Sequence, residues 1–367
     1  MGLLGQAGVG KTSTIKEYCE ILAPEGYLFV ECGKESGVDA LQDIIYINCP
    51  KWHDDYDELN NSVGFAELIE DIVENKDEEY PELRVVVIDT YDQLQEIAEK
   101  EVVRLHNKEH SDKKVKSVRG AFGGFAAGTD MADEMIIDSL FELKHVGVNF
   151  IVLGHIRNRD ITDPVSEETF TQITTDMSSR SFNKIKNKLD VLGVAYIDRE
   201  IINKQKKKKM NGKEIEVGKI AGQTRKIAFR DDDYAIDSKS RFADIANEIP
   251  LDGQALVDAM TNAIKAEIEG KGGKIADEKK SQKKTNEAKS KRASEYSKKK
   301  KESAVDEDRN EELKTKIQSG FGDMEDDVAD TFKAKMEEFG ITSFKDVSEI
   351  PTKHLEELVS IMDGERE

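Results

Sequence analysis

Over residues 1–230 the apolar positions fall into two alternating patterns, and the alternation predicts the fold. The runs at 27–30, 44–47, 84–88, 148–153 and 191–197 are short and mostly apolar, as strands buried on both faces are. Between them lie stretches of helical period at 13–22, 64–74, 90–109, 131–144 and 181–189. In the second of these Phe65, Leu68, Ile69 and Ile72 share one face. Strands and helices in this order predict a three-layer α/β core with a mainly parallel sheet. Ahead of the first helix only Met1–Leu4 is available as strand, against a usual length of about five or six residues. Either the first strand is short or the natural chain starts further upstream.

Several segments interrupt the alternation. Residues 49–61 are polar and aromatic, with Trp52, His53 and Tyr56, and read as a surface crossover; residues 156–177 read as a polar loop or short excursion. The stretch from Gly120 to Gly128, with Phe122 and Phe125, is either a mobile active-site or polymer-binding loop or a long linker. A lysine run at 204–209 followed by Asn211-Gly212 predicts a basic hairpin tip, with 223–230 as a further strand, so this end of the sheet is expected to be antiparallel. Residues 243–249 and 255–269 read as helices closing the unit.

The pattern changes at Glu269. From 270 to about 310 Lys, Glu, Ser and Ala dominate with almost no large apolar side chain, which predicts a disordered tether or a solvated helix and no core. Apolar residues return at Phe332, Met336, Phe339, Ile341, Phe344, Val347, Ile350, Leu355, Leu358 and Ile361, broken by Gly340 and Pro351. They predict a small helical module near the lower size limit for independent folding. The expected organisation is therefore a core at 1–268, a charged tether or solvated helix at 269–315 and a helical module at 316–367.

Composition narrows the functional classes. Charged residues make up 35% of the 367-residue chain and the net charge is -20, so long-range electrostatics repel polyanions and any nucleic-acid contact must be local. Cys19, Cys32 and Cys49 sit on or beside apolar runs without ligand spacing and read as reduced core thiols; the six histidines form no ligand-spaced group. No apolar run approaches the length of a membrane span, and the N-terminus carries no secretory pattern.

The chemistry centres on Gly5-Gln6-Ala7-Gly8-Val9-Gly10-Lys11-Thr12, a full P-loop pattern leading into the first helix at Ser13. Its glycines let backbone N–H groups turn inward around phosphate, Lys11 reaches the β- and γ-phosphates, and Thr12 ligates Mg²⁺. Asp89, ending the β-branched run, is expected on a strand next to the P-loop strand, holding the metal's water shell. For the carboxylate that orients attacking water the first choice is Glu35, with Glu31, Asp39, Asp54 and Asp92 as rivals. His155, at the end of the run 148–153, is either a γ-phosphate sensor or a structural hydrogen-bonder. Basic residues gather at Lys113, Lys114, Lys116 and Arg119, at Arg157 and Arg159, and at Lys206, Lys207 and Lys208, as DNA-backbone candidates. Arg225, Lys239 and Arg241 are candidates to reach a neighbouring subunit's γ-phosphate.

Taken in order, the P-loop, Glu35-Ser36-Gly37, Val85–Asp89, Gly154-His155, Leu189–Gly193, and Arg225 with Tyr234 and Ser238–Arg241 resemble the phage RecA-like P-loop nucleotide-binding proteins, and within them the Sak-type single-strand annealing ATPases. The resemblance covers about residues 1–250. It implies a RecA-like core, ATP and Mg²⁺ as cofactors, ATP hydrolysis stimulated by DNA, and single-stranded DNA as polymer ligand in recombination or annealing. It also implies a homo-oligomer acting in the host cytoplasm, with a single-strand-binding protein as possible partner of the C-terminal module. Other readings are a helicase-like or packaging motor, and a nucleotide-gated scaffold that recruits proteins through its tail.

Overall fold

The structure, a computed structural model, describes residues 1–33, 41–163, 167–208, 214–230, 236–270, 275–303, 305, 307–321, 326–345, 347 and 350–363. Its centre is β1 (Gly2–Gly5), followed by α1 (Lys11–Leu22), β2 (Tyr27–Cys32), β3 (Tyr46–Cys49), α2 (Phe65–Glu74), β4 (Val85–Asp89) and α3 (Tyr91–Glu109). A 3-10 segment, Val118–Gly123, leads to α4 (Ala127–His145), β5 (Asn149–Thr162), β6 (Thr169–Thr175) and α5 (Ser179–Lys188). Then come β7 (Val191–Lys208), β8 (Glu214–Ala228), β9 (Lys239–Ser240), β10 (Glu248–Pro250) and α6 (Gly253–Gly270). The tail holds α7 (Ile275–Ser303), α8 (Glu307–Gly320), α9 (Asp326–Glu338) and α10 (Thr352–Met362).

One sheet runs β10-β8-β7-β1-β5-β4-β2-β3, with β6 beside β5 and β9 beside β7. Pairing is parallel from β7 through β1, β5, β4 and β2 to β3, and antiparallel for β6, β8, β9 and β10. Alternate side chains along each central strand enter opposite layers, because successive Cβ atoms point to opposite faces. Leu4, Val30, Val86, Ile88 and Val152 pack with α2, α3 and α4. Leu3, Phe29, Val87, Ile151 and Leu153 pack with α1 and α6. This is the three-layer arrangement that the continuous apolar runs predicted.

Some expectations are met and others are corrected. β1 has only four residues, yet all are buried and pair in parallel with both β5 and β7, so a short strand is held from two sides. Glycine matters on its partner: a Cβ on Gly193 would stand 2.7 Å from Ile227 Cγ2, too close for any larger residue. The strand expected at 44–47 is β3, two residues later. The Asp89 strand is not next to the P-loop strand, because β5 lies between them. Residues 156–177 include a true hairpin, since β5 continues to Thr162 and pairs with β6. Residues 243–249 are not helical; Glu248–Pro250 instead extends the sheet against β8. Residues 209–213, the expected basic tip, lie outside the described residues.

The tail also departs from expectation. The C-terminal half of α7 docks on α2 and α4 rather than standing in solvent. Ala293 and Ser297 are buried, Tyr296 lies against the His145 ring at 4.9 Å, and Lys300 reaches Glu142 at 3.4 Å. Ser297 donates to the carbonyls of Val73 and, at 2.9 Å, Glu74, satisfying backbone oxygens at the end of α2. Small side chains in a polar sequence let this helix sit close, a contact that composition hides. The expected boundary at 315/316 falls inside α8, whose Leu313 and Ile317 belong to the C-terminal core with Phe332, Val347, Leu355 and Leu358.

Candidate functional site

The site lies at the C-terminal edge of the parallel strands, where open α/β sheets place ligands. Gly5 stands in register with His155 on β5, and Asp89 in register with Glu31 on β2, so the sheet delivers a loop, an imidazole and two acids to one edge. The chain leaves β1 through Gly8 at φ 70° and Gly10 at φ 111°, left-handed values that glycine adopts without a Cβ penalty. Gly8 is exposed and a Cβ on it would meet nothing within 4 Å, so this side of the loop is open to an incoming ligand. α1 begins with no side-chain cap and no acid in its first turn, which leaves its N-terminal N–H groups and positive end for an anion. These observations fit a phosphate chain in the cradle.

Lys11 is buried and its Nζ donates to the carbonyls of Gly5 at 3.2 Å and Gln6 at 3.3 Å, folding the ammonium over the cradle. Thr12 Oγ1 donates to Asp89 Oδ2 at 2.8 Å, although the two are far apart in sequence and β5 intervenes between their strands. Hydroxyl and carboxylate are thus paired where Mg²⁺ would share them. Among the described residues no group of three or more His, Cys, Asp or Glu could hold a metal alone, so phosphate oxygens and water would complete the shell. Gln6, Ala7 and Ser13 are exposed at the rim of the loop, and Val9 is buried beneath it.

Glu31 and Asp89 are both buried, on adjacent strands at the same level. Glu35 and Asp39 lie outside the described residues, and Asp54 is tied to Lys51 at the surface. Asp92, in the first turn of α3, accepts from the His155 backbone at 3.3 Å and contacts His155 Nδ1 at 2.9 Å. Burial pushes the Asp92 carboxyl up, but the hydrogen bond and charge of His155 outweigh it and hold the group below the usual carboxylate range. Asp92 was a rival for the water-orienting role; its place beside His155 had no sequence signal beyond a carboxylate one turn past a strand end.

The basic candidates divide. Lys113, Lys114, Lys116 and Arg119 are exposed. Their segment is nonetheless folded: Asn107 holds both the N–H and the carbonyl of Val115, and buried His106 accepts from the Phe122 backbone and contacts the Lys113 carbonyl. Phe125, at φ 50°, is fully exposed. Arg157 stands 3.6 Å from Asp176, and Arg159 donates to Ser179. Lys206, Lys207 and Lys208 pair through their backbones with Glu216, Ile215 and Glu214. Of the trans-acting candidates, Lys239 donates to the carbonyls of Lys186 and Asn187 at the end of α5, and Arg241 pairs with Asp190 at 2.7 Å, so both are engaged within their own subunit. Arg225 lies beside Gly10 of its own P-loop.

A three-layer α/β core with a glycine cradle, a buried lysine and a hydroxyl–carboxylate pair at the strand ends defines the P-loop NTPases. Residues 1–242 match the family described as an AAA domain, and the chain belongs to it as an AAA-type P-loop ATPase domain that binds and hydrolyses nucleotide. No curated protein matches the chain. No helix among the described residues is long and apolar enough to cross a membrane.

Proposed function

We propose that the protein is a Mg²⁺-dependent ATPase that acts on single-stranded DNA during phage recombination or annealing, as a homo-oligomer. The observation that carries the proposal is the Thr12–Asp89 pair at 2.8 Å beside the buried Lys11, a metal and phosphate clamp assembled across the sheet. Bound MgATP supplies the reactive phosphoryl group. Lys11 neutralises and orients the phosphate tail, Thr12 and Asp89 hold the metal side, and Glu31 is the described carboxylate best placed to orient water, with Glu35 its rival. Asp92 fixes the orientation of His155 by holding both its backbone N–H and its Nδ1.

The DNA assignment rests on two elements that leave this same edge. α3 starts at Tyr91, next to Asp92, and ends in the segment carrying Lys113, Lys114, Lys116, Arg119 and the exposed Phe125; β5 runs from His155 into the hairpin with Arg157 and Arg159. The Asp92–His155 contact ties both elements together, so a change at the phosphates has a route to both surfaces. Exposed aromatics and cations are the groups that hold single strands, by base stacking and phosphate contact. The C-terminal module, whose α10 contacts α7, is on this reading the candidate surface for a single-strand-binding protein.

Binding of a labelled oligothymidine strand, followed by fluorescence anisotropy, tests the DNA assignment. Phe125→Ala should bind about tenfold more weakly with the fold unchanged, since the side chain touches nothing. Binding that is indifferent both to Phe125 and to salt would sink it.

A further inference from the structure

Arg225 was a candidate to act on a neighbouring subunit, but its position points elsewhere. It sits in β8 opposite Ile197, and the residues two and four further on, Ile227 and Phe229, are buried in the layer that also holds Val9 and Ile15. Side chains alternate along a strand, so Arg225 faces the P-loop and α1 layer. Its neighbour Lys226 faces the other way and is occupied by Asp198 at 2.9 Å and Glu248 at 3.2 Å.

The approach to the loop is close. The position a Cβ would take on Gly10 lies 3.7 Å from Arg225 Nη1 and 3.6 Å from Leu251 Cδ2. Arg225 is exposed, and it forms no ion pair among the described residues. Its backbone is fixed from both sides: Ile197 pairs with it on β7, and its carbonyl accepts from Leu251 N at 3.0 Å. Leu251 is held in turn because Gly253 N, at the start of α6, donates to Glu17 of α1 at 2.8 Å. A guanidinium with no carboxylate partner among the described residues is thus held at the last glycine of an anion cradle by the same subunit's own sheet and helices.

We infer that Arg225 binds the phosphate tail of the nucleotide on its own P-loop, in cis, with Leu251 closing the apolar side of the same entrance. The inference rests on the ATPase reading above and adds a residue that this reading does not need. A guanidinium supplies two parallel donors to phosphate, a geometry that lysine cannot reproduce. Leu251 and Arg225 belong to one hydrogen-bonded strand junction, so α6 and the antiparallel edge of the sheet sense an occupied cradle through this contact.

The test is equilibrium binding of ATP and of ADP, each with Mg²⁺, to the full chain and to Arg225→Ala, Arg225→Lys and Lys11→Ala. Arg225→Ala should weaken both nucleotides by about tenfold to a hundredfold, the range for a lost charge-assisted contact, and Arg225→Lys should recover part of it. At an ATP concentration too low to occupy Arg225→Ala, mixing Arg225→Ala with Lys11→Ala subunits should restore no hydrolysis, since each defect stays with its own site. Binding abolished by Lys11→Ala but untouched by Arg225→Ala overturns this inference alone, as does hydrolysis that reappears on mixing. A wild-type chain that binds neither nucleotide overturns the ATPase reading and this inference together.

Discussion

Replacing Thr12 by Val keeps the shape and β-branching of the side chain and removes one donor. That donor serves Asp89, a residue only 4% exposed, across a 2.8 Å contact. A hydrogen bond to a charged group contributes roughly 1.5–3 kcal/mol, and because Thr12 itself is half-buried the lower end applies, about 1.5–2 kcal/mol. Trp52 is the chain's single tryptophan and is buried against Phe65 at 5.3 Å, so its fluorescence reports unfolding of the core. Urea titration at pH 7 without nucleotide should show Thr12→Val less stable by that amount. Adding MgATP at about a hundredfold excess over its dissociation constant stabilises the wild type by roughly 2.7 kcal/mol. Thr12→Val should lose most of this shift in MgATP and keep more of it in ATP with chelator, because the hydroxyl acts on the metal side. A variant as stable as wild type that also keeps the full MgATP shift would refute the assignment of both Thr12 and Asp89.

Three further outcomes are expected. Asp92 is held below the usual carboxylate range, so its contribution to stability is complete above the unfolded value near 3.9 and fades as pH falls through the lower folded value. Urea titrations should therefore show a wild-type advantage over Asp92→Asn at pH 7 that narrows below about pH 4; an advantage that grows on acidification would contradict the cause given. Ser297→Val should loosen α7 from α2 by about 1–2 kcal/mol and speed proteolysis within 275–303, leaving Trp52 unfolding little changed. Burial pushes the Cys19 thiol up to about 12 and raises Cys32 and Cys49 as well, so no thiol should react with a disulfide reagent in the native protein, while all three should react in urea.

The parts that were legible in the sequence are those in which local pattern and tertiary role coincide. The P-loop is read directly because its geometry needs glycines at fixed offsets, and the strand ending in Asp89 is read because burial on both faces demands an unbroken β-branched run. Strand order was not legible: nothing in Val85–Asp89 shows that β5 lies between it and β1, since that placement depends on where the 148–153 run inserts. Docking of α7 was hidden because it relies on Ala293, Tyr296 and Ser297 in a polar helix, not on an apolar stripe. Arg225 was legible as a residue worth noting, but whether it faces its own loop or a neighbour's depends on the register of β8 against β7, which no local pattern sets. The helix expected at 243–249 failed for a related reason, as pairing with β8 overrides a weak local preference at Glu248–Pro250.

The most direct measurement is steady-state ATP hydrolysis by the full chain with Mg²⁺, alone and with single-stranded or duplex DNA, beside Lys11→Ala. Turnover should rise several-fold with single strands, rise less with duplex, and be abolished by Lys11→Ala. Turnover unaffected by single-stranded DNA, or unchanged in Lys11→Ala, would contradict this reading.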